Sequence, residues 1–153
     1  MKFPKTHTLK EIAELIDCEF VGNSDFPVLG MNEIHVVESG DIVFVDHPKY
    51  YDKALHSAAT IVLINKKVEC PEGKALLISD DPFRDFNKLT RYFRPFQGTN
   101  ASIALSAEIG KNTFIQPNCF IGNNVKIGKN CLIHSNVSIY DNTIIGDNVI
   151  IHA

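Results

Sequence analysis

The chain carries no run of more than two lysines or arginines, and its formal net charge is −3. It therefore lacks an electrostatic footprint for nucleic acid or an anionic membrane. No stretch reaches the roughly 18 apolar residues of a membrane span, and the opening Met1-Lys2-Phe3-Pro4-Lys5-Thr6 runs into a polar helix instead of the apolar core of a signal peptide. No membrane span is expected, and the cytoplasm is the expected location. Cysteine is sparse. Cys18, Cys70, Cys119 and Cys131 are neither dense nor arranged as CxxC, which argues against a disulfide framework or a zinc knuckle and leaves reduced, mostly buried thiols. Also missing are GxGxxG, GxxxxGK(S/T), HExxH and GxSxG, the signatures of glycine-loop nucleotide binding, zinc proteolysis and serine hydrolysis. What remains is 153 residues of ordinary globular composition, 44% hydrophobic and 22% charged, enough for one medium domain or two small ones.

The strongest pattern is a repeat. Isoleucine stands at 103, 109, 115, 121, 127, 133, 139, 145 and 151, nine successive positions six apart. Three residues after seven of these comes asparagine, at 112, 118, 124, 130, 136, 142 and 148. Asparagine tolerates the left-handed backbone that a sharp corner demands. A small or branched residue follows each asparagine (Thr113, Cys119, Val125, Cys131, Val137, Thr143, Val149) and is expected to point inward beside the isoleucine. Glycine after the isoleucine, at Gly110, Gly122, Gly128 and Gly146, is expected to ease the turn.

A period of six fits neither a flat strand, with period two, nor an amphipathic helix, with period 3.6. It fits a triangular solenoid in which three hexads close a coil and isoleucines 18 apart stack, as in Ile115 on Ile133 on Ile151. Residues 99–153 therefore predict a left-handed parallel β-helix, with Cys119 and Cys131 in its core on different faces and unpaired. The hexads stop in mid-repeat at Ile151-His152-Ala153 with no capping segment. Bare ladder ends are costly, so the expectation is an incomplete β-helix: a truncated piece of a longer chain, or an end that a partner covers.

Residues 1–98 read as a small α/β domain, with the boundary in residues 97–100. Thr8-Leu9-Lys10-Glu11 is a capping box, opening a helix whose Leu9, Ile12, Ala13, Leu15 and Ile16 recur at helical spacing and which ends near Cys18. Residues 19–23 read as a strand and turn, and residues 34–45 as two strands hinged at Glu38-Ser39-Gly40-Asp41. A short helix over 50–58, strands at 60–64 and 75–78, and a helix started by Asp81-Pro82 complete the domain. Phe83, Phe86, Leu89 and Phe93 line one face of that last helix.

Two groups of residues could carry chemistry. His134 and His152, 18 apart and each directly after a ladder isoleucine, should project outward on one face in successive coils, about 5 Å apart by strand spacing. Two ligands fall short of the three that a catalytic zinc takes from protein, so surface or subunit-interface histidines are the expectation. The denser candidate is Phe44-Val45-Asp46-His47-Pro48-Lys49-Tyr50-Tyr51. Aromatics flanking a proline turn can sandwich a flat base, and Lys49 can meet phosphate. The plain alternative is a strand end with core aromatics.

The residues from Phe44 to Tyr50 are similar to the motif Phe-x-x-Asn-Pro-Lys-Tyr of the UDP-3-O-(3-hydroxyacyl)glucosamine N-acyltransferase family of lipid A biosynthesis. The order of the two domains, uridine-binding then β-helix, resembles that family along the whole chain. The resemblance implies nucleotide binding by Phe44, His47, Lys49 and Tyr50: Phe44 and Tyr50 clasp uracil, while Pro48 and Lys49 shape the loop. His47 stands where the family has an asparagine that bonds the nucleotide, and an imidazole offers one donor and one acceptor. The implied reaction moves a 3-hydroxyacyl chain from acyl carrier protein to the 2-amine of a UDP-sugar, with no cofactor or metal. In the family a histidine in a later coil takes the amine proton and backbone donors stabilise the oxyanion. That histidine is expected beyond Ala153, since neither His134 nor His152 matches its place. The chain by itself is thus expected to bind the uridine part without transferring acyl groups. A homotrimer capped by C-terminal helices is implied for the full-length protein.

The alternatives are another hexapeptide enzyme, such as a sugar-nucleotide acetyltransferase using acetyl-CoA, and a metal enzyme of the γ-carbonic anhydrase type using His134 and His152 across an interface. A non-catalytic nucleotide-sugar-binding module is the third.

Overall fold

The Thr8 side-chain oxygen accepts the Glu11 backbone N–H at 3.1 Å, and the Glu11 carboxylate accepts the Thr8 N–H at 3.1 Å. This is the capping box that the sequence predicts, and it starts α1 (Leu9–Ile16). The helix ends on Asp17 in the left-handed conformation and buries Leu9, Ile12, Ala13 and Ile16. In the computed structural model, which describes residues 1–153, the chain forms two compact units, Met1–Pro95 and Phe96–Ala153.

The first unit is built on a sheet of β1 (Lys2–Thr8), β2 (Glu19–Val21), β3 (Pro27–Met31), β4 (Asp41–Val45), β5 (Ile61–Ile64) and β6 (Ala75–Ile78), in the order β1-β3-β4-β5-β6-β2. The four central strands are parallel and both edges antiparallel. A 3₁₀ turn, Pro48–Tyr50, leads into α2 (Tyr51–Leu55), and α3 (Pro82–Phe93) follows β6. Alternate residues of β5 serve opposite faces. Ile61 and Leu63 join Leu9, Ile12, Ile16 and Leu89 beneath α1 and α3, whereas Val62 and Ile64 join Ala54 and Leu55 of α2. Cover on both faces explains why these strands read as unbroken apolar runs.

The two strands expected over residues 34–45 are one. Only Asp41–Val45 is extended; residues 34–36 form a turn in which the Val36 N–H bonds the Glu33 carbonyl. Ile34 and Val37 pack against the sheet without pairing with it, so their apolar character reflects burial rather than a ladder. Strands β1 and β3 carry no clear alternation. β1 is an irregular edge strand that holds Pro4 and buries only Phe3. All four cysteines are free; Cys119 and Cys131 are buried, while Cys18 and Cys70 are only partly covered.

The second unit is the left-handed parallel β-helix. Its two-residue strands are β7 (Glu108–Ile109), β8 (Phe114–Ile115), β9 (Phe120–Ile121), β10 (Lys126–Ile127), β11 (Leu132–Ile133), β12 (Ser138–Ile139), β13 (Ile144–Ile145) and β14 (Ile150–Ile151). They assemble into three parallel sheets, β7-β10-β13, β8-β11-β14 and β9-β12. Ile115, Ile133 and Ile151 are in register, as the 18-residue spacing requires. Ile121, Ile127, Ile133 and Ile139 are buried, and Cys119, Val125, Cys131 and Val137 complete the core beside them. All seven corner asparagines have φ between 55° and 64°.

Gly110, Gly122 and Gly128 have a different purpose from the one expected. None of the four after a ladder isoleucine has positive φ. A methyl group on Gly128 would meet the Gly146 carbonyl carbon at 2.5 Å and the Asp147 Oδ1 at 2.3 Å in the next coil. That Asp147 oxygen accepts the Lys129 N–H at 2.7 Å. Close stacking of coils, not backbone freedom, selects glycine here.

Candidate functional site

Strands β3 and β4 run side by side, and Met31, the last residue of β3, pairs with Ile42. β4 therefore continues three residues past its neighbour, through Val43, Phe44 and Val45. A cavity of about 500 Å³ opens there, lined by residues 32–35, residues 43–46, Tyr50 and Lys53. This volume suits a small-molecule ligand. Its place at the carboxyl ends of parallel strands is where open α/β sheets bind ligands.

Phe44 and Tyr50 both line the cavity. Phe44 is half-buried, with its ring centroid 4.8 Å from Phe86 and 5.9 Å from Phe83 of α3. Tyr50 is 49% exposed and free to meet a ligand. His47 and Lys49 are not among the lining residues. His47 Nδ1 accepts the Lys49 backbone N–H at 3.2 Å and caps the 3₁₀ turn. An asparagine side chain fills that capping role equally well. The Lys49 ammonium lies 5.5 Å from the Tyr50 ring centroid and the His47 ring 6.0 Å from it. Both residues thus lie beside Tyr50, which does line the cavity.

Several lining residues were not singled out from the sequence. Asn32 follows β3 directly, and its Nδ2 donates to Asp41 Oδ2 at 2.7 Å. Asp41 is fully buried and also accepts from Lys2 Nζ and the Glu38 N–H, each at 3.0 Å. Burial opposes its ionisation, but hydrogen bonds from Asn32, Lys2 and Glu38 prevail and hold the carboxyl below the usual carboxylate range. The Asn32 carboxamide is thereby fixed at the cavity edge. Glu33, His35, Asp46 and Lys53 supply the other polar groups. Asp46 lies inside the Phe44 to Tyr51 segment and Lys53 stands three residues after Tyr50; Asn32, Glu33 and His35 carried no such signal.

On the β-helix, the rings of His134 and His152 stack with centroids 4.5 Å apart and planes 16° apart. His134 Nδ1 pairs with Gln116 Oε1 at 3.2 Å. Stacked imidazoles direct their in-plane lone pairs along parallel planes, not at a common point, so this arrangement does not form a chelate. No group of three His, Cys, Asp or Glu side chains converges elsewhere. No helix is long and apolar enough to cross a membrane.

The family model for UDP-3-O-(3-hydroxymyristoyl) glucosamine N-acyltransferase matches residues 25–92, which include the whole cavity lining. The bacterial transferase hexapeptide model matches residues 106–139 and 124–153. Among similar proteins, a UDP-3-O-acylglucosamine N-acyltransferase of Syntrophotalea carbinolica is 37% identical over 116 residues, 72% of this chain and 34% of its own length. Its namesake in Cytophaga hutchinsonii is 36% identical, over 72% of this chain and 33% of its own. The Neisseria meningitidis protein of the same name is 30% identical, over 75% of this chain and 36% of its own. The matches thus span about a third of these relatives' length. The α/β unit with its cavity, the hexapeptide β-helix and these matches together show that the chain belongs to the UDP-3-O-acylglucosamine N-acyltransferase family.

Proposed function

We propose that the cavity at the end of β4 holds the uridine part of a UDP-linked acylglucosamine, with the base between Phe44 and Tyr50. The observation that carries this reading is the cavity lining that these two aromatics share, with Val43 and Val45 flanking Phe44 and the Asn32 carboxamide fixed at the edge by Asp41.

In the full-length protein this site presents the acceptor for transfer of a 3-hydroxyacyl chain from acyl carrier protein to the glucosamine 2-amine. The relatives' names support an N-acyltransferase activity, and residues beyond those described supply the histidine base. The protein works as a cytoplasmic homotrimer.

The test is a titration of the chain with UDP, followed by NMR. Shifts confined to Phe44, Tyr50 and their neighbours support the site. Absence of any perturbation at millimolar UDP, in a sample whose amide spectrum is well dispersed, overturns it.

A further inference from the structure

The cavity contains one side chain with a fixed positive charge, and it is not the lysine of the Phe44 to Tyr50 motif. Lys49 lies outside the lining, with its ammonium 5.5 Å from the Tyr50 ring centroid. Lys53 is in the lining. Burial of Ala54 and Leu55 fixes how α2 sits on the sheet and leaves Lys53 exposed. Tyr50 and Lys53 are three residues apart, a spacing that places two side chains on the same side of a helical turn. The aromatic wall and the ammonium therefore reach the same opening. Lys53 takes part in none of the ion pairs of the structure.

The remaining charges sharpen the assignment. Glu33 and Asp46 share the cavity. Carboxylates accept hydrogen bonds from the N–H of a pyrimidine or from ribose hydroxyls, and they repel phosphate. A nucleoside diphosphate entering this cavity finds a favourable partner for its phosphate charge at Lys53.

Building on the uridine reading above, we propose that Lys53, and not Lys49, binds the diphosphate of the nucleotide. Calorimetric titration of the chain with uridine and with UDP, at low salt, tests this in the wild type and in Lys53→Ala, Lys53→Arg and Lys49→Ala. Lys53→Ala should weaken UDP about tenfold and leave uridine unchanged, as expected for one lost charge-assisted bond. Lys53→Arg should retain most of the preference for UDP. Lys49→Ala should change both ligands by the same small factor.

The proposal falls if Lys53→Ala keeps the wild-type ratio of UDP to uridine affinity, or if Lys49→Ala abolishes that ratio. Wild-type protein that binds both ligands equally overturns the phosphate assignment but leaves the uridine site standing. Wild-type protein that binds neither overturns both. Lys53 is exposed, so an unchanged melting temperature for its variants shows that the effect is on binding.

Discussion

Phe44 holds its ring centroid 4.8 Å from that of Phe86 on α3 while lining the cavity. The same side chain thus belongs to the packing between sheet and helix and to the candidate site. Tyr50, 49% exposed, has no comparable share in the core. Phe44→Ala should cost about 2–4 kcal/mol of stability, and Tyr50→Ala less than about 1 kcal/mol, although both weaken UDP binding. Urea denaturation of the two variants, alongside UDP titration, checks this. A Phe44→Ala protein with the wild-type midpoint would show that the contact with Phe86 adds nothing.

Gly128 and Gly146 occupy equivalent places in successive coils but meet different surroundings. A methyl group on Gly128 runs into the next coil, whereas one on Gly146 meets nothing within 4 Å. Gly128→Ala should destabilise the β-helix by about 1–3 kcal/mol, and Gly146→Ala should be neutral within about 0.5 kcal/mol. Amide hydrogen exchange in β10 and β13 reports the difference. Equal effects would mean that turn conformation, not coil spacing, selects these glycines.

The β-helix was legible because its period forces the same environment on every sixth residue. Ile133 and Asn130 each repeat a pattern seen many times, so one reading serves for all. The first unit offers no such redundancy. Ile34 and Val37 look like strand residues because burial and pairing select the same side chains, and sequence does not separate the two. Asn32 enters the cavity only because β4 outruns β3, a property of register that the residue does not display locally. Lys49 was the natural phosphate candidate within the motif, yet the 3₁₀ turn places it over the Tyr50 ring.

Asn130 sits at a corner with φ 55°, and its amide takes part in a column with Asn112 and Asn148 at 3.3 and 3.4 Å. Those contacts are long, so the backbone conformation dominates the choice of residue. Asn130→Gly should stay within about 0.5 kcal/mol of the wild type, while Asn130→Ala should lose about 1–2 kcal/mol to left-handed strain. Thermal unfolding of both variants decides. A glycine variant as unstable as the alanine one would shift the weight to the amide column.

Asp85, 2% exposed at the start of α3, accepts from Ser79 Oγ at 2.5 Å and Arg84 Nε at 2.9 Å. Burial pushes its carboxyl up, but the bonds from Arg84 and Ser79 and the Arg84 charge outweigh this and hold it below the usual carboxylate range. A folded value below the unfolded one means that the stabilisation is complete above about pH 4, the ordinary aspartate value, and is lost as pH falls through the folded value. Asp85→Asn should therefore be less stable than the wild type at pH 7, with the gap closing in acid. Urea midpoints for both proteins between pH 7 and pH 2.5 measure this. Parallel curves across that range would show that Asp85 carries no pH-linked stability.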